Sequence, residues 1–295
     1  MDFTNNGNSN INQFTSSANK YIDSTGEFIN SQSIVAKVAF LLFVFFAFII
    51  LLRIGIVILA YFFSPKSTSK LIDGMIDAKQ LIVIPQDPST PGAKTIYRSN
   101  NATDGIEFTW SCWIYVEDLT YNSGKYKCVF YKGNDYAETT SPEGELGLNF
   151  PNNAPGLYIA PNTNDLVVMM NTFNVINEEI VINDIPLNKW INVIIRCQNT
   201  TLDVYINGMI AKSHELHGVP KQNYGDVYVA MNGGFSGYIS NLWYYDYALG
   251  INAIQNMSKN GPNNKMTASS ALTMTNPNYL SLRWFFYGAG DEFNP

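Results

Sequence analysis

Histidine is nearly missing from this sequence: its 295 residues hold two, His214 and His217. A Ser-His-Asp or Cys-His catalytic set therefore has only these imidazoles to draw on. The stretch His214-Glu-Leu-His217 is one residue too short for H-E-x-x-H, since position 218 is glycine. The i, i+4 spacing that puts two imidazoles on one helical face is absent, and the stretch reads as the surface extension of a hairpin. Cysteine is scarce as well. Three residues, Cys112, Cys128 and Cys197, cannot complete a disulfide framework, and a reducing compartment is the simpler reading. Charged side chains make up 14% of the chain, with a net charge of −6. Residues 1–64 balance Lys20, Lys37 and Arg53 against Asp2, Asp23 and Glu27, so the whole excess lies beyond them. An acidic domain lacks the basic footprint of a nucleic-acid binder, and no nucleic-acid partner is expected. No glycine-rich phosphate loop follows a strand, and no repeat of 20–50 residues is present.

What the chain has in quantity is apolar and aromatic surface, 46% and 14% of residues, a composition that suits a sheet with a large core. Asparagine is also abundant. It favours tight turns and left-handed backbone, but an AT-rich genome enriches it too, and both explanations stand at this stage. Residues 38–63 read VAFLLFVFFAFIILLRIGIVILAYFF, with Arg53 as the one charge. About 20 apolar residues cross a bilayer core, so this run is long enough to span even when tilted. A signal peptide would be shorter, closer to the start and followed by small residues. The run instead ends in Tyr61-Phe62-Phe63 before Ser64-Pro65, and it reads as a lasting anchor from Val38 to Phe63. Arg53 is expected to snorkel toward the Tyr61 end; pairing with another membrane subunit is the competing reading. Lys66, Lys70 and Lys79 after the run lean the C-terminal domain toward the cytosol.

Residues 1–33 read as an Asn/Ser-rich disordered tail, 34–63 as the transmembrane helix and 64–95 as a linker with a strand candidate at Leu81–Ile84. From residue 96 the period becomes two. Phe108, Trp110, Cys112, Ile114 and Val116 alternate with Thr109, Ser111, Trp113 and Tyr115. Leu202, Val204 and Ile206 lead into Asn207-Gly208, the strongest short hairpin signal. Val227, Val229 and Met231 alternate, as do Ile239, Asn241, Trp243 and Tyr245. Gly, Asn and Pro clusters separate the runs, and no helical crossovers intervene, so the expected fold is mainly β, an antiparallel sandwich. A short helix is predicted near Ile251–Met257, with Ile254 and Met257 inward. Residues 259–295 form a C-terminal extension whose aromatic run, including Tyr279, Trp284, Phe285 and Phe286, reads as a closing strand or a protein-contact surface.

Three stretches resemble laminin G-like, concanavalin A-like domains. These are Glu107–Val116, the pair Leu187–Ile195 and Leu202–Gly208, and Gly234–Leu249 with its G-x-I-x-x-L-x-x-Y-x-x-A-L character. The resemblance spans residues 96–258 and implies a jelly-roll sandwich. That fold hosts lectins, hydrolases, adhesion modules and structural proteins alike. Its hydrolases use a close carboxylate set, commonly E-x-D-x-E, which this sequence lacks. Glu143-Gly-Glu145 and Glu178-Glu179 read as solvated carboxylates, and no enzymatic activity is expected. The family's calcium sites imply Asn134, Asp135, Asn164 and Asp165 as weak candidates, with no other cofactor. The anchor and the Asn/Ile/Tyr-rich composition also look like membrane or minor capsid proteins of large cytoplasmic DNA viruses. The expectation is a membrane-anchored structural protein that touches the lipid bilayer and, in a virion, links an internal membrane to capsid proteins. A carbohydrate-binding lectin is the alternative, and a glycoside hydrolase stands behind both.

Overall fold

A computed structural model describes residues 34–63, 67–102, 105–136 and 145–267. The chain divides into two compact units at Pro65. In the first, helix α1 (Ile34–Phe63) is apolar on every side, with Leu41, Phe43, Leu51 and Val57 all exposed. A helix without a polar stripe has no face to turn toward water. Its apolar stretch Lys37–Ala60 is 24 residues, or ~36 Å at 1.5 Å per residue, long enough to cross a membrane. Val38 and Arg53 are exposed on it.

The second unit is a sandwich of two antiparallel sheets. Its strands are β1 (Thr68–Lys70), β2 (Met75–Asp77), β3 (Ile82–Ile84), β4 (Asn100–Ala102), β5 (Gly105–Asp118), β6 (Lys127–Gly133) and β7 (Gly156–Ile159). They continue with β8 (Leu166–Met170), β9 (Glu178–Ile182), β10 (Trp190–Gln198), β11 (Thr201–Ile206), β12 (Met209–Glu215), β13 (Asp226–Val229) and β14 (Ser236–Tyr245). One sheet runs β1-β14-β5-β10-β11-β12, with β2 also on β14 and β4 on β5; the other runs β3-β13-β6-β7-β8-β9. The period-two residues of β5, Phe108 to Val116, are all buried between the sheets against Leu157, Leu166, Val168 and Met170. At Asn207-Gly208 both residues take positive φ, 51° and 79°, and join β11 to β12 as the hairpin signal predicts.

Both sheets are covered on their outer faces too. Helix α2 (Ile251–Asn260) sets Ile254 against Ile194, Tyr205, Tyr245 and Leu249, with Met257 packed beside them. On the other sheet Leu148, Tyr158, Tyr131 and Val167 form a third cluster. Burial on both faces explains why β6, β7 and β8 read as continuous apolar runs rather than alternating ones.

Two expectations are corrected. Residues 67–95 are not a linker: β1 and β2 pair with β14, β3 pairs with β13, and Leu71, Ile72 and Ile76 are core residues. The boundary at 258 also fails, since α2 continues to Asn260 and Met266 bridges to Met75. In β14 the expected alternation breaks at Asn241, whose φ is 51° and whose side chain accepts the Gly74 amide at 3.3 Å. The register shifts there, so Ile239, Leu242 and Tyr244 face the core and Trp243 turns outward. Asparagine fills seven of the nine non-glycine positive-φ positions among the described residues, which gives the turn explanation of its abundance direct support. Residues 1–33 and the aromatic run at Tyr279, Trp284, Phe285 and Phe286 lie outside the described residues, as does Glu143.

Candidate functional site

Where β5 begins and β14 ends, the two sheets stand apart and leave a cleft of about 430 Å³. That volume lies in the range of ligand pockets. Its floor is apolar: Phe108 and Trp110 from β5, Tyr244 from β14 and Met170 from β8. Trp110 is locked in place, with ring centroids 5.1 Å from Phe130 and 5.0 Å from Tyr244.

Two segments wall the cleft. In the first, residues 86–98, Gln86 is the organiser. Its Nε2 donates to the carbonyls of Ile84 (3.2 Å) and Lys94 (3.0 Å), and its Oε1 accepts the Ile96 amide at 2.9 Å. Its own amide donates to Asp226 Oδ1 at 2.8 Å, which pins this wall to β13. The second wall is Pro220–Tyr224, where Asn223 Nδ2 donates to the Lys132 carbonyl at 3.0 Å. Gly225 ends this wall. A Cβ there would fall 1.9 Å from the Gly133 carbonyl oxygen, a backbone atom that has no freedom to yield. We therefore expect Gly225→Ala to cost about 1–3 kcal/mol by overpacking, read as a lowered urea midpoint; an unchanged midpoint would refute the close approach.

At the cleft's inner end Lys132 is buried and donates its Nζ to the Gly225 carbonyl. Burial pushes this ammonium down to about 8, against the opposing pull of Asp226. At the mouth, Tyr224 is 90% exposed, Phe173 69% and Tyr97 44%. Lys221 Nζ lies 5.3 Å from the Phe173 ring centre, a cation–π distance. The arrangement joins open aromatic faces to amide, ammonium and carboxylate groups around an apolar floor. It is equipped to hold a molecule that is apolar on one face and polar at its edges.

The calcium candidates do not fit one ion. Asp165 already spends its oxygens on the protein, taking the Thr163 hydroxyl of its own turn at 2.7 Å and the Asp184 amide, from the loop after β9, at 2.9 Å, and these bonds lower its pKa. Asn164 donates to the Ile185 carbonyl and Asn134 to those of Asp135 and Phe150. Asp165 sits beside the Ile159 end of β7, while Asp135 follows Gly133 near the Gly156 end. Four residues of strand separate them by ~10 Å, against Ca–O bonds of about 2.3–2.6 Å. The cysteines are all free and buried, and burial pushes the Cys128 and Cys197 thiols up to about 12, far from a reactive thiolate.

The sequence profile of the concanavalin A-like lectin/glucanases superfamily matches residues 90–255, more than half of the chain. The chain belongs to that superfamily. The matched span opens inside the first cleft wall and closes in α2, so β5–β14 and most of the cleft lining fall within it, while Gln86, Asp87 and Pro88 precede it. No curated protein matches the chain. Among solved structures, the receptor-binding domain of botulinum neurotoxin D is 11% identical with a TM-score of 0.43, covering 65% of this chain and 43% of that one. The botulinum neurotoxin serotype D ligand-binding domain in complex with N-acetylneuraminic acid is 13% identical with a TM-score of 0.42, covering 61% and 40%. The receptor-binding domain of the C/D mosaic serotype is 14% identical with a TM-score of 0.39, covering 52% and 36%. The chain thus spans about two-fifths of the length of these structures. At such identities the likeness carries no argument about ligand or activity.

None of the cleft's key residues, Lys132, Asp226, Tyr224 or Tyr97, stood out in the sequence. They come from separate segments, and no local spacing joins them. Lys132 alone left a signal, since its lysine interrupts the apolar run Cys128–Tyr131 that precedes it in β6.

Proposed function

We propose that this chain is a membrane-anchored, non-catalytic binding protein whose concanavalin A-like domain takes a saccharide in the cleft above Trp110. The observation that carries the proposal is the pairing of exposed rings with buried polar groups around one opening. A pyranose presents C–H bonds on a face that stacks on Tyr224 or Tyr97, and hydroxyls at its rim for Lys132, Asn223 and Asp226. Helix α1 supports anchoring by its length and all-round apolar surface. The lysines that follow it favour a cytosolic domain.

Binding is preferred to hydrolysis because each carboxylate that lines the cleft has one oxygen fixed by a backbone amide, Asp226 by Gln86 and Asp87 by Ser89, which leaves one oxygen of each to meet a hydroxyl. Retaining cleavage needs a second carboxyl about 5–5.5 Å from the first, with both free to act. A linking role between an internal membrane and a capsid shell shares the anchor with this proposal. Its contact candidates, Tyr279 to Phe286, are outside the described residues, so the cleft is the better-founded recognition surface.

The test is a glycan array with neutral and acidic saccharides, probed with the full chain in detergent. A bound glycan whose affinity falls at least about tenfold in Tyr224→Ala, with the melting temperature unchanged, supports the reading. Turnover of a glycan that vanishes in Asp226→Asn would replace it with a hydrolase. Silence on the array, with capture of a shell protein, would replace it with the linking role.

A further inference from the structure

Away from the cleft floor, the exposed edges of the two sheets meet at β9 and β12. Glu178 opens β9 on the same parity as Ile180 and Ile182, and all three are buried. A carboxylate on the core-facing side of an edge strand is costly unless something compensates it. The compensation comes from across the sandwich. His214 Nε2 lies 2.8 Å and His217 Nδ1 2.7 Å from the same oxygen, Glu178 Oε1. The His217 amide also donates to both carboxylate oxygens at 3.1 Å. The expectation of a solvated Glu178 is thereby corrected: burial favours its protonated form, but these hydrogen bonds outweigh burial and lower its pKa. The H-E-L-H spacing, too short for a helix, suffices here because His214 is the last residue but one of β12 and His217 lies in the bend that follows it.

We propose that Glu178 Oε1, His214 Nε2 and His217 Nδ1 bind one Zn²⁺ ion, which clips the edges of the two sheets together at the root of the cleft's Pro220–Tyr224 wall. The three ligand atoms lie within 4.8 Å of one another. Tetrahedral zinc with bonds of about 2.0–2.1 Å holds its ligands about 3.3 Å apart, so each imidazole retreats from Glu178 by about half an ångström, and the two imidazole nitrogens, within 4.8 Å of each other, settle at the same spacing. Two imidazoles and one carboxylate suit zinc and its transition-metal neighbours, not calcium, which takes six to eight oxygens. His217 is 71% exposed, so the fourth position opens to solvent and takes a water. The Asn174 amide, donating at 2.6 Å to the His217 carbonyl, fixes the turn that presents this imidazole.

The chain's two histidines are both in this cluster, so any imidazole-bound metal reports on this site alone. The experiment takes the full chain in detergent, without a histidine tag, and titrates it at pH 7.5 with Zn²⁺, with Ca²⁺ and with Co²⁺. One zinc per chain is expected, with calcium inert and cobalt giving the visible absorption of a tetrahedral site. At a free zinc concentration a hundred times Kd, the melting temperature should rise by about 5–10 °C. His217→Ala, a change at an exposed side chain, should weaken zinc at least about tenfold, and Glu178→Gln should do the same. If Glu178→Gln does not fold, His214→Ala replaces it. Absence of stoichiometric zinc at micromolar concentrations, or affinity unchanged by His217→Ala, would overturn the site and leave the cluster a hydrogen-bonded clamp.

Discussion

Replacing Trp110 with alanine is expected to lower the unfolding free energy of the β domain by about 3–5 kcal/mol, the cost of emptying a large aromatic site in a packed core. Trp110 is 1% exposed and stacks within 24° of the Phe130 plane, while Tyr244 tilts onto it from β14. Its ring therefore ties three strands across both sheets. Alanine would strip Phe130 and Tyr244 of the ring they share, and a dense interior collapses only partly into such a void. For a domain of this size each kcal/mol moves the midpoint by about 2–4 °C, so a fall of about 6–20 °C follows. Urea unfolding gives the free energy directly, and an unchanged slope would confirm that the same surface is exposed in both chains. Trp110→Phe keeps a ring in the stack and should cost clearly less. A loss below about 1 kcal/mol for alanine would mean that the ring is not the keystone of this end of the sandwich.

Trp110 also marks how far local pattern reaches. In β5 the alternation Phe108–Val116 sorts the two faces correctly because the strand is long and one face meets only the opposing sheet. In β14 the same reasoning misassigns Trp243 and Tyr245. One bulge residue, Asn241, reverses the parity, and its cause is a hydrogen bond to Gly74, 167 residues away in sequence. The strands within 67–95 are three residues each, too short to show a period. They are strands because β13 and β14 offer them open edges. Glu178 was legible in principle, through its parity with Ile180 and Ile182, but a charged residue on a core-facing parity invites dismissal until its partners from β12 are seen. The cleft is the least legible feature. Its floor comes from β5, β8 and β14 and its walls from two loops, so it exists only after the sheets have stacked.

Lys132→Met should stabilise the domain at neutral pH and impair its binding. Burial disfavours the charged form of Lys132, so the folded chain releases this proton near pH 8, below the ordinary lysine value of 10.5. Between those values the unfolded chain holds more protons than the folded one, and stability rises with pH. The cost of burying the ammonium is complete below about 8 and fades as pH climbs toward 10.5. The gap between the two values corresponds to about 3 kcal/mol. Methionine removes that cost but forfeits the hydrogen bond to the Gly225 carbonyl, about 1 kcal/mol, leaving a net gain of about 2 kcal/mol at pH 7. Urea unfolding of both chains at pH 7 and pH 10 isolates the effect, because tyrosines and other lysines titrate alike in each and cancel in the difference. The variant's advantage should shrink or reverse by pH 10; a difference that stays constant would show that Lys132 is not a strained cation. A buried ammonium kept at such a cost in stability makes sense where it supplies a donor to an incoming ligand, and the same substitution should then weaken glycan binding even as it raises the melting temperature.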